Sequence, residues 1–427
     1  MTNIADIIND NRNGLKKGVY SVCCAQPLII EAAISQAIKD NSTVLIEATA
    51  NQVNQFGGYT SMKPLDFVHF IERIANKLDF PMDKITLGGD HLGPVCWVNE
   101  PAEQAMDKAK ALIKAYVEAG FKKIHLDTSM PCSDDESDLA DEIIAQRAAQ
   151  LCEVAEHTAI ACFGSSDIVY IIGTEVPPPG GATEEITELE VTPTSRVENT
   201  LNLHLTAFNA KGLESAWQRV IGIVVQPGVE FDHTSIIDYD SAKAQQLSQY
   251  ITSVPNIAYE AHSTDYQLPS AYQRLVADHF AILKVGPQLT YAMREALFAL
   301  SHIEQACINE DERANLPEVL EIEMKENPSY WQKFYQVSPN DALFYRRYSY
   351  SDRIRYYWNC EKVEQAVVTL LNNLSDNKMP LPLISQYLPE QYRAIRAGTL
   401  VNCPRALIID KIMQVTEVYA AACNQQQ

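Results

Sequence analysis

The sequence has no CxxC pair and no apolar run of about 18 residues, roughly the length a membrane-spanning helix needs. It also lacks an early apolar stretch. The segment MTNIADIINDNRNGLKKG reaches its basic residues without one, so no secretory signal peptide is expected. There is no GxxxxGK[ST] phosphate loop and no kinase-like glycine loop. Positive charge is scarce, with 34 basic residues against 55 acidic ones and a net charge of −21. Such a field repels phosphate backbones and argues against nucleic-acid binding. The 10 cysteines are scattered, and Cys23–Cys24 is the one tight pair. Reduced thiols in a cytoplasmic chain are the simplest reading, most of them serving as small buried hydrophobes.

Apolar residues make up 46% of the 427-residue chain, enough for one large core of about 250 residues plus an extension of roughly 100. Short apolar runs alternate with longer segments of helical period. The runs are Gly18–Ala25, Thr43–Thr49, Lys84–Asp90, Lys122–Thr128, Ile168–Glu175, Arg219–Gln226, Asn256–His262 and Phe280–Gly286. Helices are expected between them. One is opened by Pro64 and carries Phe67, Phe70, Ile71 and Ile74 on a single stripe. Eight such units predict an α/β fold, a (β/α)8 TIM barrel over residues 1–307. A doubly wound sheet is the competing architecture. It favours a glycine-rich turn after the first strand, and Cys23-Cys24-Ala25-Gln26-Pro27 has no glycine. Residues 308–427 read as a mostly helical C-terminal extension packed on the barrel.

In a barrel of this kind chemistry sits at the C-terminal ends of the strands. Those ends carry Glu47, Asp90-His91, His125, Asp127, Glu175, His233, Glu260, His262 and Lys284. Four of the 9 histidines, His91, His125, His233 and His262, fall at or just past strand ends. Carboxylates and imidazoles converging on one mouth read as a divalent-metal site, because buried charge needs a partner or an ion. A hydrogen-bonded polar plug is the alternative. His279 precedes the eighth strand and belongs to the opposite, structural end. Phosphate is expected at Ser263, Thr264 and Gly286, after strands seven and eight, or at the fork Arg353 and Arg355.

The segments IEATANQVNQFGGYT, LGGDHLGP, GFKKIHLDTSM, YIIGTEVPPPGG, VVQPGVEFDH, YEAHSTDYQ, FAILKVGP and SDRIRYYW resemble those of the Z subunit of class II D-tagatose-1,6-bisphosphate aldolase. Within that family, FDHTSIIDY and PLPLISQYLP are more similar to the N-acetylgalactosamine branch than to the galactitol branch. The resemblance implies a non-catalytic subunit needed for full activity and stability of a catalytic Y subunit. That partner cleaves tagatose 1,6-bisphosphate to glycerone phosphate and glyceraldehyde 3-phosphate. Some relatives have been labelled sugar-phosphate kinases, a label these residues do not support. A more distant likeness to catalytic class II aldolases implies His91, His233 and His262 as ligands of a divalent metal, zinc first. It also implies Asp90 or Glu175 as acid or base. A metal-dependent ketose-phosphate epimerase or aldolase active in its own right therefore stands beside the partner-subunit expectation.

Overall fold

The computed structural model describes residues 3–176, 189–376 and 379–424. Part of the long connection expected after the fifth strand, residues 177–188, lies outside them. Eight parallel strands close into one barrel in chain order. They are β1 (Val19–Cys23), β2 (Val44–Thr49), β3 (Ile85–Leu92), β4 (Lys123–Leu126), β5 (Val169–Ile172), β6 (Val220–Val224), β7 (Ala258–Ala261) and β8 (Phe280–Val285). All eight expected strands form, most of them shorter than their apolar runs. β5 ends at Ile172, so Thr174 and Glu175 fall in the loop beyond it. A helix follows each strand: Pro27–Asp40, Pro64–Lys77, Ala102–Glu118, Asp141–Phe163, Thr194–Ala210, Ser241–Ile251, Pro269–Ala277 and Pro287–Cys307. Four of these open on proline, whose fixed φ and missing N–H suit a first helical position.

The amino-terminal end of the barrel is closed by a helix, Ile4–Arg12, absent from the expected elements. A reciprocal cap starts it: Asp6 N–H donates to Asn3 Oδ1 at 3.0 Å and Asn3 N–H to Asp6 Oδ2 at 3.2 Å. Ile4, Ile7 and Ile8 pack against Val19, Leu45, Ile171, Ile221 and Ile282 from the strands. His279 lies at this end, sharing a hydrogen bond of 2.9 Å between its Nδ1 and Asn11 Oδ1.

Beyond Cys307 the described residues are mostly helical. Its last helix, Pro404–Ala422, lies against Pro27–Asp40, Pro269–Ala277 and Pro287–Cys307. The segment Ser349–Tyr357 crosses the opposite end of the barrel. Tyr350 N–H donates to His233 O at 3.0 Å, the Tyr266 hydroxyl to Tyr350 O at 2.7 Å, and Arg294 Nε to Asp352 Oδ1 at 3.1 Å. Of the extension's aromatic residues, Tyr357 and Trp358 are buried, whereas Phe344 and Tyr348 face solvent. No helix among the described residues is long and apolar enough to cross a membrane.

Candidate functional site

Side chains alternate along a strand, so residues two apart share a face. On β4 this puts Lys123, His125 and then Asp127 toward one interior, and on β7 it does the same for Glu260 and His262. Each of these side chains is buried. β3 departs from the alternation. Its pairing with β4 shifts between Gly89 and Leu92, and His91 takes a left-handed φ of 49°. The bulge lets neighbours Asp90 and His91 both reach the mouth. Gly88 is required for a different reason: a Cβ there would stand 2.7 Å from Glu47 Cγ, in the space the glutamate stem uses.

The buried groups form one charge network. Lys123 Nζ lies 2.7 Å from both Glu47 Oε1 and Glu260 Oε2. Lys284 Nζ lies 2.6 Å from Glu47 Oε2 and 3.1 Å from Asp90 Oδ1. Asp90 Oδ1 meets His125 Nδ1 at 2.9 Å, Glu260 Oε1 meets His262 Nε2 at 3.0 Å, and Asp127 Oδ2 meets His91 Nδ1 at 2.7 Å. The rings of His91, His125 and His262 stand 5.1–5.3 Å apart, centre to centre.

Burial opposes charge on Asp90 and Glu260. For Asp90 it is outweighed by His91 and Lys284, and for Glu260 by Lys123 and Lys284, so both stay well below the usual carboxylate range. Burial likewise works against the Lys284 ammonium, yet Asp90, Glu47 and Glu260 raise its pKa well above the ordinary value. It is therefore a fixed cation rather than an amine nucleophile. Burial dominates at His262 and lowers its pKa to about 4, which leaves a neutral imidazole able to act as a ligand. Glu47, Asp90, Asp127 and Glu260 set four carboxylates against the two ammoniums of Lys123 and Lys284, a surplus of two negative charges before the imidazoles.

A divalent metal fits this chemistry. Asp90, His125, Glu260 and His262 each offer a ligand atom, all within 4.8 Å of one another. Bonds of about 2.1 Å need donors on the order of 3–4 Å apart, so side-chain rotations suffice to close the set on one ion. His125 Nε2 is buried with no hydrogen-bond partner among the described residues. Such an orphan asks for an explanation, and an ion supplies one.

The residues singled out in the sequence divide accordingly. Asp90, His91 and His262 come together. His233 does not join them. Its loop turns away in a short hairpin, Glu230–Phe231 with Ile236–Ile237, and both ring nitrogens engage the extension: Nδ1 meets Ser351 Oγ at 3.2 Å and Nε2 meets Phe334 O at 3.1 Å. The third imidazole of the mouth is His125 instead. Glu175 is half-buried outside the network, held by the Thr192 hydroxyl at 2.8 Å and Arg196 Nε at 3.0 Å. The hydroxyl of Thr264 is fully buried and donates to Lys284 O at 2.6 Å. Gly286 N–H is taken by Asp265 Oδ1 at 3.0 Å.

A pocket opens above the network. His91, His262, Ser263 and Lys284 line its barrel side, and Arg355 and Tyr356 line it from the extension. Arg353 is not in its wall. That guanidinium lies 3.1 Å from the centre of the Phe334 ring and donates to Tyr330 O at 3.3 Å.

The chain resembles known proteins along nearly its whole length. A structure described as a probable tagatose 6 phosphate kinase from Sinorhizobium meliloti 1021 is 45% identical, with a TM-score of 0.87 over 95% of this chain and 100% of that one. The fructose-bisphosphate aldolase of Campylobacter jejuni is 14% identical, with a TM-score of 0.46 over 85% of this chain and 93% of that one. The YdjI aldolase of Escherichia coli K12 is 12% identical, with a TM-score of 0.43 over 89% of this chain and 99% of that one. The family model for D-tagatose-1,6-bisphosphate aldolase subunit GatZ/KbaZ-like matches residues 4–424, and the chain belongs to that family.

Proposed function

We propose that this chain is the cytoplasmic partner of a catalytic Y subunit. On this reading it supports cleavage of D-tagatose 1,6-bisphosphate to glycerone phosphate and glyceraldehyde 3-phosphate in the degradation of D-tagatose 6-phosphate. The family match over residues 4–424 carries this reading. Within the family we favour the N-acetylgalactosamine branch over the galactitol branch, on FDHTSIIDY and PLPLISQYLP.

The buried cluster supports a second activity at this chain's own mouth, the binding and turnover of a ketose phosphate such as a metal-dependent epimerase or aldolase performs. Asp90, His125, Glu260 and His262 would hold a divalent ion, zinc first, which when bound polarises a ketose carbonyl and its neighbouring hydroxyl. Asp127 holds the Nδ1 side of His91, which leaves Nε2 as the atom that can exchange a proton with ligand in the pocket. Lys284 stays charged and balances the carboxylates. Arg355 holds the phosphate.

Metal analysis of the purified chain, with aldol-cleavage assays alone and with a Y subunit, tests both readings. The expected result is about one divalent ion per chain, lost on His125→Ala or His262→Ala and kept on His233→Ala. Cleavage by the chain alone should be low, and the Y subunit should gain activity and resist thermal inactivation. Rapid bisphosphate cleavage by this chain alone, or no effect on the Y subunit at equimolar amounts, overturns the partner reading. A metal-free chain overturns the second.

A further inference from the structure

Barrels of this kind often hold phosphate where the loop after the eighth strand enters a helix, since the first N–H groups of that helix point at the ligand. Here the chain fills that place itself. Asp265 Oδ1 accepts from Gly286 N–H at 3.0 Å and from Gln288 N–H at 2.8 Å. Pro287 has no N–H to offer, and Leu289 N–H is taken by Gly286 O at 3.1 Å. The hydroxyl of Thr264 is committed to Lys284 O. Asp265 is almost fully buried, lines the pocket, and forms no ion pair among the described residues. Burial pushes its carboxyl up to about 6, so it is mostly ionised at neutral pH.

The extension side of the same pocket has the opposite character. The Arg355 guanidinium donates to Ser351 O, to Asp352 O at 3.2 Å and to the Tyr356 hydroxyl at 3.0 Å. Among the described residues no carboxylate lies within ion-pair distance of it. Burial opposes ionisation of the Tyr356 phenol, but Arg355 and Arg353 outweigh it and lower its pKa. The charges of Asp265 and Asp352 act on Arg355 from beyond ion-pair distance. In a chain of net charge −21, an arginine that faces a pocket with no carboxylate in direct contact among the described residues is placed for an incoming anion.

We propose that the mouth selects a ketose carrying one phosphate, bound at Arg355, and discriminates against the 1,6-bisphosphate because Asp265 occupies the second anion site. The inference rests on the reading of the mouth as a sugar-phosphate site. A second phosphate brought to the start of the Pro287–Cys307 helix would have to displace a buried carboxylate and then stand beside it. Selectivity here comes from a repulsive element already in place, and Arg355 supplies the attraction.

Titration calorimetry of the full chain, with and without zinc, reads this directly. The probes are D-tagatose 6-phosphate and D-tagatose 1,6-bisphosphate. The monophosphate should bind at least about tenfold more tightly, a difference of about 1.4 kcal/mol. Asp265→Asn keeps an acceptor for Gly286 and Gln288 and removes the charge. It should bring the two affinities within about threefold by tightening the bisphosphate alone. Arg355→Met should weaken the monophosphate by about tenfold or more. Equal or tighter binding of the bisphosphate by the unmodified chain overturns the inference and leaves the sugar-phosphate reading standing. A preference that survives Asp265→Asn unchanged also overturns it. Binding of neither ester under any condition removes the sugar-phosphate reading and the inference with it. The ratio in the unmodified chain needs no variant, so it holds even if Asp265→Asn fails to fold.

Discussion

Leu45 and Glu47 stand two residues apart on β2 and are both buried, yet they stabilise the fold by different means. Leu45 belongs to the floor, where Ile8, Ile171, Ile221 and Ile282 close an apolar layer under the N-terminal helix. Glu47 belongs to the mouth, between Lys123 and Lys284. The same step separates Ile282 from Lys284 on β8 and Ala258 from Glu260 on β7. In the floor each side chain contributes by its own burial, whatever its neighbours' charge. In the mouth no group is stable without the others, because an uncompensated buried charge costs more than a lost contact. The floor can therefore lose a methyl group gradually. The mouth is conditional, and an ion or an anionic ligand changes its balance.

The largest effect expected from this difference is at Lys123. Lys123→Met leaves Glu47 and Glu260 facing each other in the interior, and should cost about 3–5 kcal/mol in urea unfolding. Adding Glu260→Gln should recover part of that loss. A cost for Lys123→Met below about 1 kcal/mol would mean that the network does not depend on this ammonium.

Truncating the floor should cost slightly less, and differently. Ile282→Ala removes a fully buried side chain and should cost about 2–4 kcal/mol. That loss should be the same with and without added zinc. The cost of Lys123→Met should shrink when zinc is present, because a cation is returned to the mouth. Equal zinc dependence for the two variants would erase the distinction between floor and mouth.

Much of this was legible before the fold was known, for physical reasons that also mark its limits. Barrel strands are covered on both faces, so they read as apolar runs with polar ends, and all eight were found. The helix Ile4–Arg12 does not stand out by periodicity because its segment is polar on average, although Asn3 followed by Asp6 carries a capping signal. Alternation along Lys123, His125 and Asp127 places His125 in the mouth. Likeness to catalytic aldolases points to His233 in its place, and the hairpin after β6 carries His233 away. The bulge that turns His91 inward is a property of the β3–β4 pairing, not of any local string. The bond from Asp265 to the Gly286 and Gln288 N–H groups joins two loops and has no short-range signature.

A smaller effect is expected in the pH dependence of stability. The Asp265 carboxyl is raised by burial from 3.8 in the open chain to about 6 in the fold. The folded protein therefore holds this proton more tightly than the unfolded one. The corresponding stability is fully present below about pH 4 and is lost as pH rises through about 6. At about 1.4 kcal/mol for each tenfold difference in proton affinity, the loss is up to about 3 kcal/mol. Asp265→Asn should be nearly neutral at pH 4 and should gain on the unmodified chain between pH 4 and 7 in denaturant titrations. A difference that does not change with pH would show that Asp265 titrates alike folded and unfolded.

The smallest effect is expected at Glu175, and it sharpens the boundary of the mouth. Likeness to catalytic class II aldolases implies this carboxylate as an acid or base, but β5 stops at Ile172 and leaves it in the loop beyond. Its ion pair with Arg196 spans 3.0 Å, with Glu175 about a third exposed and Arg196 nearly half exposed, so solvent screens most of the attraction. The Thr192 hydroxyl accounts for the other oxygen and can donate equally to an amide. Glu175→Gln should therefore change stability by no more than about 0.5 kcal/mol. Metal content and monophosphate affinity should match the unmodified chain, whereas His262→Ala should lose the metal. A Glu175→Gln variant that binds metal and sugar phosphate normally but loses turnover would move the boundary outward and place Glu175 in the chemistry after all.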